Sequence, residues 1–184
     1  MNAKAMTLVG LMAALLCVVG PLSLPLPFSP VPISLTSLAV YLAVYVSGMK
    51  WGTVSCLIYL LIGMAGVPVF SSFTGGPGKL FGPTGGYLAG FLLMALIFGY
   101  FVERWTLDVA LCFLGAVLGT IVCYLSGTCW LAVQSGMSFL EALTVGVLPF
   151  IPGDLCKIVI AVLIGPKIRR RLKAAGLSLG RRHR

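Results

Sequence analysis

Six apolar stretches, at about 4 to 20, 35 to 49, 51 to 66, 86 to 103, 108 to 133 and 150 to 168, follow one another along this chain with very few charges inside them. Each is close to the roughly 20 apolar residues that carry a helix across a bilayer. The expected fold is therefore an all-α integral membrane protein, a compact bundle of six transmembrane helices. Composition points the same way: 59% of the 184 residues are hydrophobic and 9% charged, against roughly 25% charged in a soluble domain. Six spans use up most of the length, so residues 1–184 read as a single membrane domain with no room for a soluble catalytic one.

The first stretch has a feature of a signal peptide, with Lys4 as a basic end and Met6 to Gly20 as an apolar core. The chain that follows, Pro21 to Pro32, lacks a small-residue cleavage pattern, so the stretch is read as a helix. Pro21, Pro25, Pro27, Pro30 and Pro32 make the first connection an extended, non-helical cap, because proline lacks the N–H that a helix needs.

Lysine and arginine set the orientation. With a cytoplasmic N-terminus, Lys4, Lys50, Arg104 and a basic tail over 167–184 (Lys167, Arg169, Arg170, Arg171, Lys173, Arg181, Arg182, Arg184) are inside and Lys79 alone is outside. Both termini are thus expected in the cytoplasm. A tail of this kind anchors to anionic headgroups, which accounts for the net charge of +9 without any nucleic-acid partner. The long connections 21 to 34, 67 to 85 and 134 to 149 then lie on the outer face, suited to capture of an external solute.

Within this charge-poor chain, Gly153-Asp154-Leu155-Cys156-Lys157 places an acid and a base three positions apart near the outer end of the sixth span. Residues three apart share a helix face, and a charge at bilayer depth costs about 2.5–3.5 kcal/mol even on lenient scales. Asp154 and Lys157 are read as the chemical centre of a ligand site; the structural alternative is a mutually neutralised pair locking two helices.

The connection from Ser71 to Tyr87 is glycine-rich and contains Gly78-Lys79, but Phe73 and Leu80 stand where a phosphate loop needs glycine and Ser or Thr. Its glycines are read as letting backbone approach a small ligand and letting the loop move as a lid. Small residues recur elsewhere. Gly86-x-x-x-Gly90 and Gly115-x-x-x-Gly119 suit close helix crossing, while Ala3, Thr7, Gly10 and Ala14 form one smooth stripe that either packs internally or accepts a partner helix. The six cysteines, Cys17, Cys56, Cys112, Cys123, Cys129 and Cys156, fall in apolar stretches without metal-site spacing and read as small apolar side chains.

Four segments in order carry a family resemblance: Pro30-Val31-Pro32-Ile33-Ser34-Leu35, Gly66-Val67-Pro68-Val69-Phe70, Phe81-Gly82-Pro83-Thr84-Gly85-Gly86-Tyr87-Leu88-Ala89-Gly90-Phe91, and Leu148-Pro149-Phe150-Ile151-Pro152-Gly153-Asp154-Leu155-Cys156-Lys157. Together they resemble the BioY family, the biotin-binding S components of energy-coupling factor (ECF) transporters. The resemblance implies a six-helix bundle of a bacterial cell (inner) membrane. It also implies high-affinity capture of biotin on the outer side and uptake driven by a transmembrane T component with two cytoplasmic ATPase subunits. It makes the stripe of Ala3, Thr7, Gly10 and Ala14 the face offered to the T component. Where such sequences commonly carry a glutamine after the proline pair, this chain has Thr36, with Ser34 and Ser37 beside it.

Biotin suits the residues. Asp154 can accept from a ureido N–H, and Lys157 can reach either the ureido or the carboxylate oxygen. Thr84 and the amides of Gly85 and Gly86 offer donors, and Tyr87 and Phe81 offer apolar cover. Charge-assisted hydrogen bonds of about 1.5–3 kcal/mol each make nanomolar binding, about 12 kcal/mol, attainable. No cofactor or metal is implied. A self-sufficient carrier would line several spans with polar groups, and away from their ends the spans offer no charge beyond Asp154 and Lys157. An enzyme is disfavoured as well: the one histidine, His183, lies in the tail, and Asp154, Glu103, Asp108 and Glu141 are too dispersed for a metal centre.

Overall fold

The computed structural model describes residues 3–106 and 108–177; Arg181, Arg182, His183 and Arg184 lie outside them. Helix α1 (Ala3–Val19) leads into a hairpin of β1 (Ser23–Leu26) and β2 (Ser29–Ser34), then α2 (Thr36–Met64), a short α3 (Pro77–Leu80), α4 (Gly85–Trp105), α5 (Val109–Ser135), α6 (Phe139–Gly146) and α7 (Ile151–Ala174). By length and apolarity α4 and α5 can each cross a membrane, and α6 with α7, bent by 56° at their junction, can together make a broken span; α2 is apolar and long enough as a whole but is interrupted at Gly48, and α1 is apolar but shorter, at 17 residues. The fold is thus helical and membrane-embedded.

Two expected spans, 35 to 49 and 51 to 66, fall within α2. Gly48, at φ 81° and ψ 178°, breaks the helix there, a conformation that a Cβ would penalise. The chain reverses at this point. Residues eight apart on one helix are separated by about 12 Å, yet a Cβ on Gly52 would lie 2.8 Å from the Val44 Cα. Two antiparallel rods, 36–47 and 49–64, therefore flank the break, and with α1, α4, α5 and α7 they make six rods among the described residues. The turn is held from outside by Glu103, whose Oε1 accepts the Met49 N–H at 2.9 Å, and by Arg169, whose Nη1 donates to the Tyr45 carbonyl at 3.3 Å.

Elsewhere the elements start and stop for local reasons. Asp108 caps α5, with Oδ1 accepting from the Ala110 and Leu111 amides at 3.0 and 3.1 Å, and Gly136 at φ 64° ends it. The first connection is not only an extended cap but a two-stranded antiparallel ribbon, pairing Ser23 with Ser34 and Leu24 with Ile33. A two-stranded ribbon has only edge strands, where proline is tolerated. The connection 134 to 149 likewise contains structure of its own: Ser138 and Glu141 form a reciprocal capping box that starts α6. At its other end α7 runs past residue 168, so Lys167, Arg169, Arg170, Arg171 and Lys173 are helical.

The core is aromatic. Tyr41 and Tyr45 each meet Phe98 edge-to-face at 5.2 Å, and Tyr59 meets Phe70 at 5.5 Å. The expected close crossing by glycine is seen between α4 and α5: a Cβ on Gly90 would press on Ser126 and Cys123, and one on Gly119 on Met94. Lys4 Nζ donates to the Gly176 carbonyl at 3.1 Å, bringing the start of α1 beside the turn that follows α7. The molecule thus has a terminus end, which also holds Gly48, Glu103 and Arg169, and a loop end with the hairpin, α3, α6 and the start of α7.

Candidate functional site

Asp154 sits in the first turn of α7, where the N-terminal end of the helix dipole favours a carboxylate. Its Oδ1 accepts from Lys157 Nζ at 2.8 Å and from Ser37 Oγ at 3.2 Å, while Oδ2 accepts from the Tyr124 hydroxyl. Lys157 is 9% exposed and donates a second hydrogen bond to the Ser34 carbonyl at 2.5 Å. Three elements separated in sequence, the β2–α2 junction, α5 and α7, therefore converge on one carboxylate.

These groups wall a small chamber of about 70 Å³ at the loop end. The β2–α2 junction contributes Val31, Pro32, Ser34 and Ser37; α4 contributes Tyr87, Phe91 and Met94; α5 contributes Thr120, Cys123 and Tyr124; Gly146 and Phe150 close it beside Asp154 and Lys157. Tyr87 is fixed by donation to the Gly146 carbonyl at 3.0 Å, and Ser29 Oγ ties the hairpin over α6 through the Val145 carbonyl at 2.8 Å. The chamber brings together an anionic acceptor, a cationic donor and an aromatic wall.

Of the residues singled out in the sequence, Asp154, Lys157 and Tyr87 meet here. Phe81, Thr84, Gly85 and Gly86 do not line the chamber. Phe81, Gly85 and Gly86 border a separate apolar groove of about 310 Å³ with Leu57, Leu61 and Trp130. The expected amide donors are engaged or crowded: the Gly85 N–H goes to the Gly82 carbonyl at 3.0 Å, and Gly86 is packed against Trp130. The carbonyls of Gly82 and Phe81 are held by Trp130 Nε1 at 2.9 Å and Gln134 Nε2 at 2.8 Å. Thr84 is 8% exposed and its buried hydroxyl has no hydrogen-bond partner. Thr36 does not face the chamber either; its hydroxyl pairs with Ser34 Oγ at 2.5 Å.

Tyr124 and Phe91 were not anticipated. A signal existed for Tyr124: with Thr120 and Thr128 it makes a polar stripe at i, i+4 and i+8 along an apolar helix. The α1 stripe is external, since Ala3, Thr7, Gly10 and Ala14 are all exposed and a Cβ on Gly10 would meet nothing within 4 Å. Internal packing is therefore not its role in the isolated chain.

A family model described as BioY family matches residues 1–174. The chain belongs to the BioY family. It is 38% identical over 166 residues to the biotin transporter BioY of Thermotoga maritima, covering 88% of this chain and 93% of that one. To the biotin transporter BioY of Rhodobacter capsulatus it is 38% identical over 189 residues, with 96% and 99% covered. Its fold matches the crystal structure of the S-component for biotin from an ECF-type ABC transporter, with a TM-score of 0.85, 30% identity and 92% of each chain covered. BioY proteins are membrane transporters, not enzymes, and the helical, charge-poor bundle described above is of that kind.

Proposed function

We propose that this BioY-family chain is the biotin-capturing S component of an ECF-type transporter, with biotin bound at the Asp154–Lys157 chamber. The observation that carries the reading is the Asp154 carboxylate, held by Lys157, Ser37 and Tyr124 at the wall of a cavity that helix packing alone does not require. A ureido N–H takes the place of one of these donors on Asp154, Lys157 donates to a ligand oxygen, and Tyr87 and Phe91 cover the bicyclic ring. The protein lies in the cell membrane of a bacterium with both termini in the cytoplasm. That orientation is supported by the clustering of Lys4, Lys167, Arg169, Arg170, Arg171 and Lys173 at or toward the terminus end.

In operation, biotin reaches the chamber from outside. The connection ending in Phe81, Thr84, Gly85 and Gly86 moves as a lid, which gives these residues a part in closure and frees the Thr84 hydroxyl to find a partner. The loaded bundle then docks its exposed α1 stripe on the T component, and ATP hydrolysis by the two ATPases reorients it to release biotin inside. The reading is tested by titrating the detergent-purified chain with biotin, thiamine and riboflavin, wild type against Asp154→Asn. Tight one-to-one binding selective for biotin, weakened about tenfold or more in the variant, is expected. Equal affinity in the two proteins removes Asp154 from the site.

A further inference from the structure

A lysine ammonium carries three N–H donors. Lys157 places one on Asp154 Oδ1 at 2.8 Å and one on the Ser34 carbonyl at 2.5 Å, so these two acceptors decide where the third points. Asp154 is an intrahelical neighbour three residues away. The Ser34 carbonyl comes from another element, the join of β2 and α2, and its direction depends on how the backbone is held there.

A turn of hydroxyls holds it. Ser34 Oγ accepts the Thr36 N–H at 2.9 Å and pairs with Thr36 Oγ1 at 2.5 Å, closing a ring over the peptide whose carbonyl Lys157 uses. Thr36 is 1% exposed and lies outside the chamber wall. Behind it stands Tyr59, fully buried, whose hydroxyl faces Thr36 and closes no hydrogen bond. Gly20 leaves room for that ring, since a Cβ there would come within 2.8 Å of the Tyr59 hydroxyl oxygen. The start of α2 needs an acceptor for the Thr36 N–H. It does not need the Thr36 hydroxyl, which is sealed from water and from the chamber at a position where burial favours a methyl.

We propose that Thr36 is a positioning residue for ligand capture: it touches no ligand atom and acts through Ser34, fixing the carbonyl that aims Lys157 into the chamber. This rests on the reading of that chamber given above. With the Ser34–Thr36 bond in place, Lys157 is stretched between two acceptors and its third N–H is left for a ligand oxygen. Without that bond the Ser34 carbonyl is free to turn away. Lys157 then falls back on Asp154 Oδ1, which already accepts from Ser37, and its third N–H loses its aim. Thr36 therefore bears on affinity only while residue 157 is a lysine.

The test is a double-mutant cycle on the full purified chain: wild type, Thr36→Val, Lys157→Met and the two together, with Thr36→Ser as the conservative variant. Each is titrated with biotin up to millimolar and melted in detergent, and affinity is taken per folded molecule. Thr36→Val keeps the shape and removes the hydroxyl, so biotin should bind about five- to tenfold more weakly, while Thr36→Ser stays within about twofold. In the Lys157→Met background the same valine change should alter affinity by less than about twofold. Thr36→Ala repeats the cycle should the valine variant not fold. Full affinity in Thr36→Val overturns the proposal. An equal loss in the two backgrounds also overturns it, since Thr36 would then serve only the start of α2, and so does a serine variant as weak as the valine one. Failure of biotin to bind even the wild type would instead sink the chamber reading itself.

Discussion

At the terminus end, Glu103 and Arg169 hold the break in α2 from two sides, one on the Met49 amide at 2.9 Å and the other on the Tyr45 carbonyl at 3.3 Å. At the loop end, Asp154 and Lys157 turn chiefly toward each other, at 2.8 Å, and toward a chamber. Both arrangements obey helix electrostatics, with a carboxylate at the start of a rod and a cation at the end of one or paired beside it. What differs is why the charge is there. Reversal at Gly48 leaves backbone donors and acceptors open at two rod ends, and Glu103 and Arg169 answer them, so the fold accounts for both. Nothing at the start of α7 asks for Lys157, whose one backbone partner is the Ser34 carbonyl. Charge that the fold does not account for is the charge to test for function.

The sharpest way to break this contrast is to neutralise the loop-end pair together. Asp154→Asn with Lys157→Met should lower biotin affinity by more than about 100-fold through loss of two charge-assisted bonds. Thermal stability in detergent should hold or rise, because replacing both members of a buried pair is often neutral or favourable. A melt many degrees lower with unchanged binding per folded molecule would make the pair a helix clamp. At the opposite end the signs reverse. Gly48→Val puts a Cβ at φ 81° and 2.9 Å from Glu103 Oε1, so a loss of about 1–3 kcal/mol in stability is expected with biotin affinity intact. Calorimetry and thermal melts on the same samples read both quantities.

Glu103→Gln sharpens the comparison at smaller amplitude. The amide oxygen still accepts from Met49, so only the interaction of the charge with the rod end is lost, about 0.3–1 kcal/mol. Because Glu103 is exposed, that loss should shrink as salt is added. A salt-independent deficit would mean that the hydrogen bond itself, not the charge, holds the turn.

The two ends also differ in how legible they were. Span limits follow from apolar runs, which is why α1, α4 and α5 begin and end within about two residues of the expected bounds. The expected spans part between residues 49 and 51, but the turn is made by Gly48, since positive φ is a backbone demand that hydropathy does not register. The capping box of Ser138 and Glu141 was present in the letters, yet eight residues of helix are too few to stand out by apolarity. At the loop end Asp154 and Lys157 were conspicuous because charge is scarce. Ser37 and Tyr124 were less so: Ser37 is one of several neighbouring hydroxyls, Tyr124 shows only as the middle of the Thr120–Thr128 stripe, and three-dimensional convergence is what gives them a carboxylate to share. Thr84 and the amides of Gly85 and Gly86 were expected as donors to the ligand and Phe81 as its apolar cover; what approaches Gly85 and Gly86 is the Leu80 carbonyl and Trp130, from within the protein.

The smallest expected effect lies on the flank that neither charge cluster touches. Gly10→Leu places its side chain where nothing stands within 4 Å, on the exposed stripe with Ala3, Thr7 and Ala14. Glycine is about 1 kcal/mol worse than alanine inside a helix, so the isolated chain should be unchanged or slightly more stable, and its biotin affinity should move by less than about 0.5 kcal/mol. A substitution silent in the isolated protein yet damaging to biotin uptake in cells supplying the T component and ATPases would mark α1 as a face kept smooth for a partner helix. Uptake that also stays normal would leave the stripe as ordinary lipid-facing surface. Function in this chain would then be written at the loop end alone.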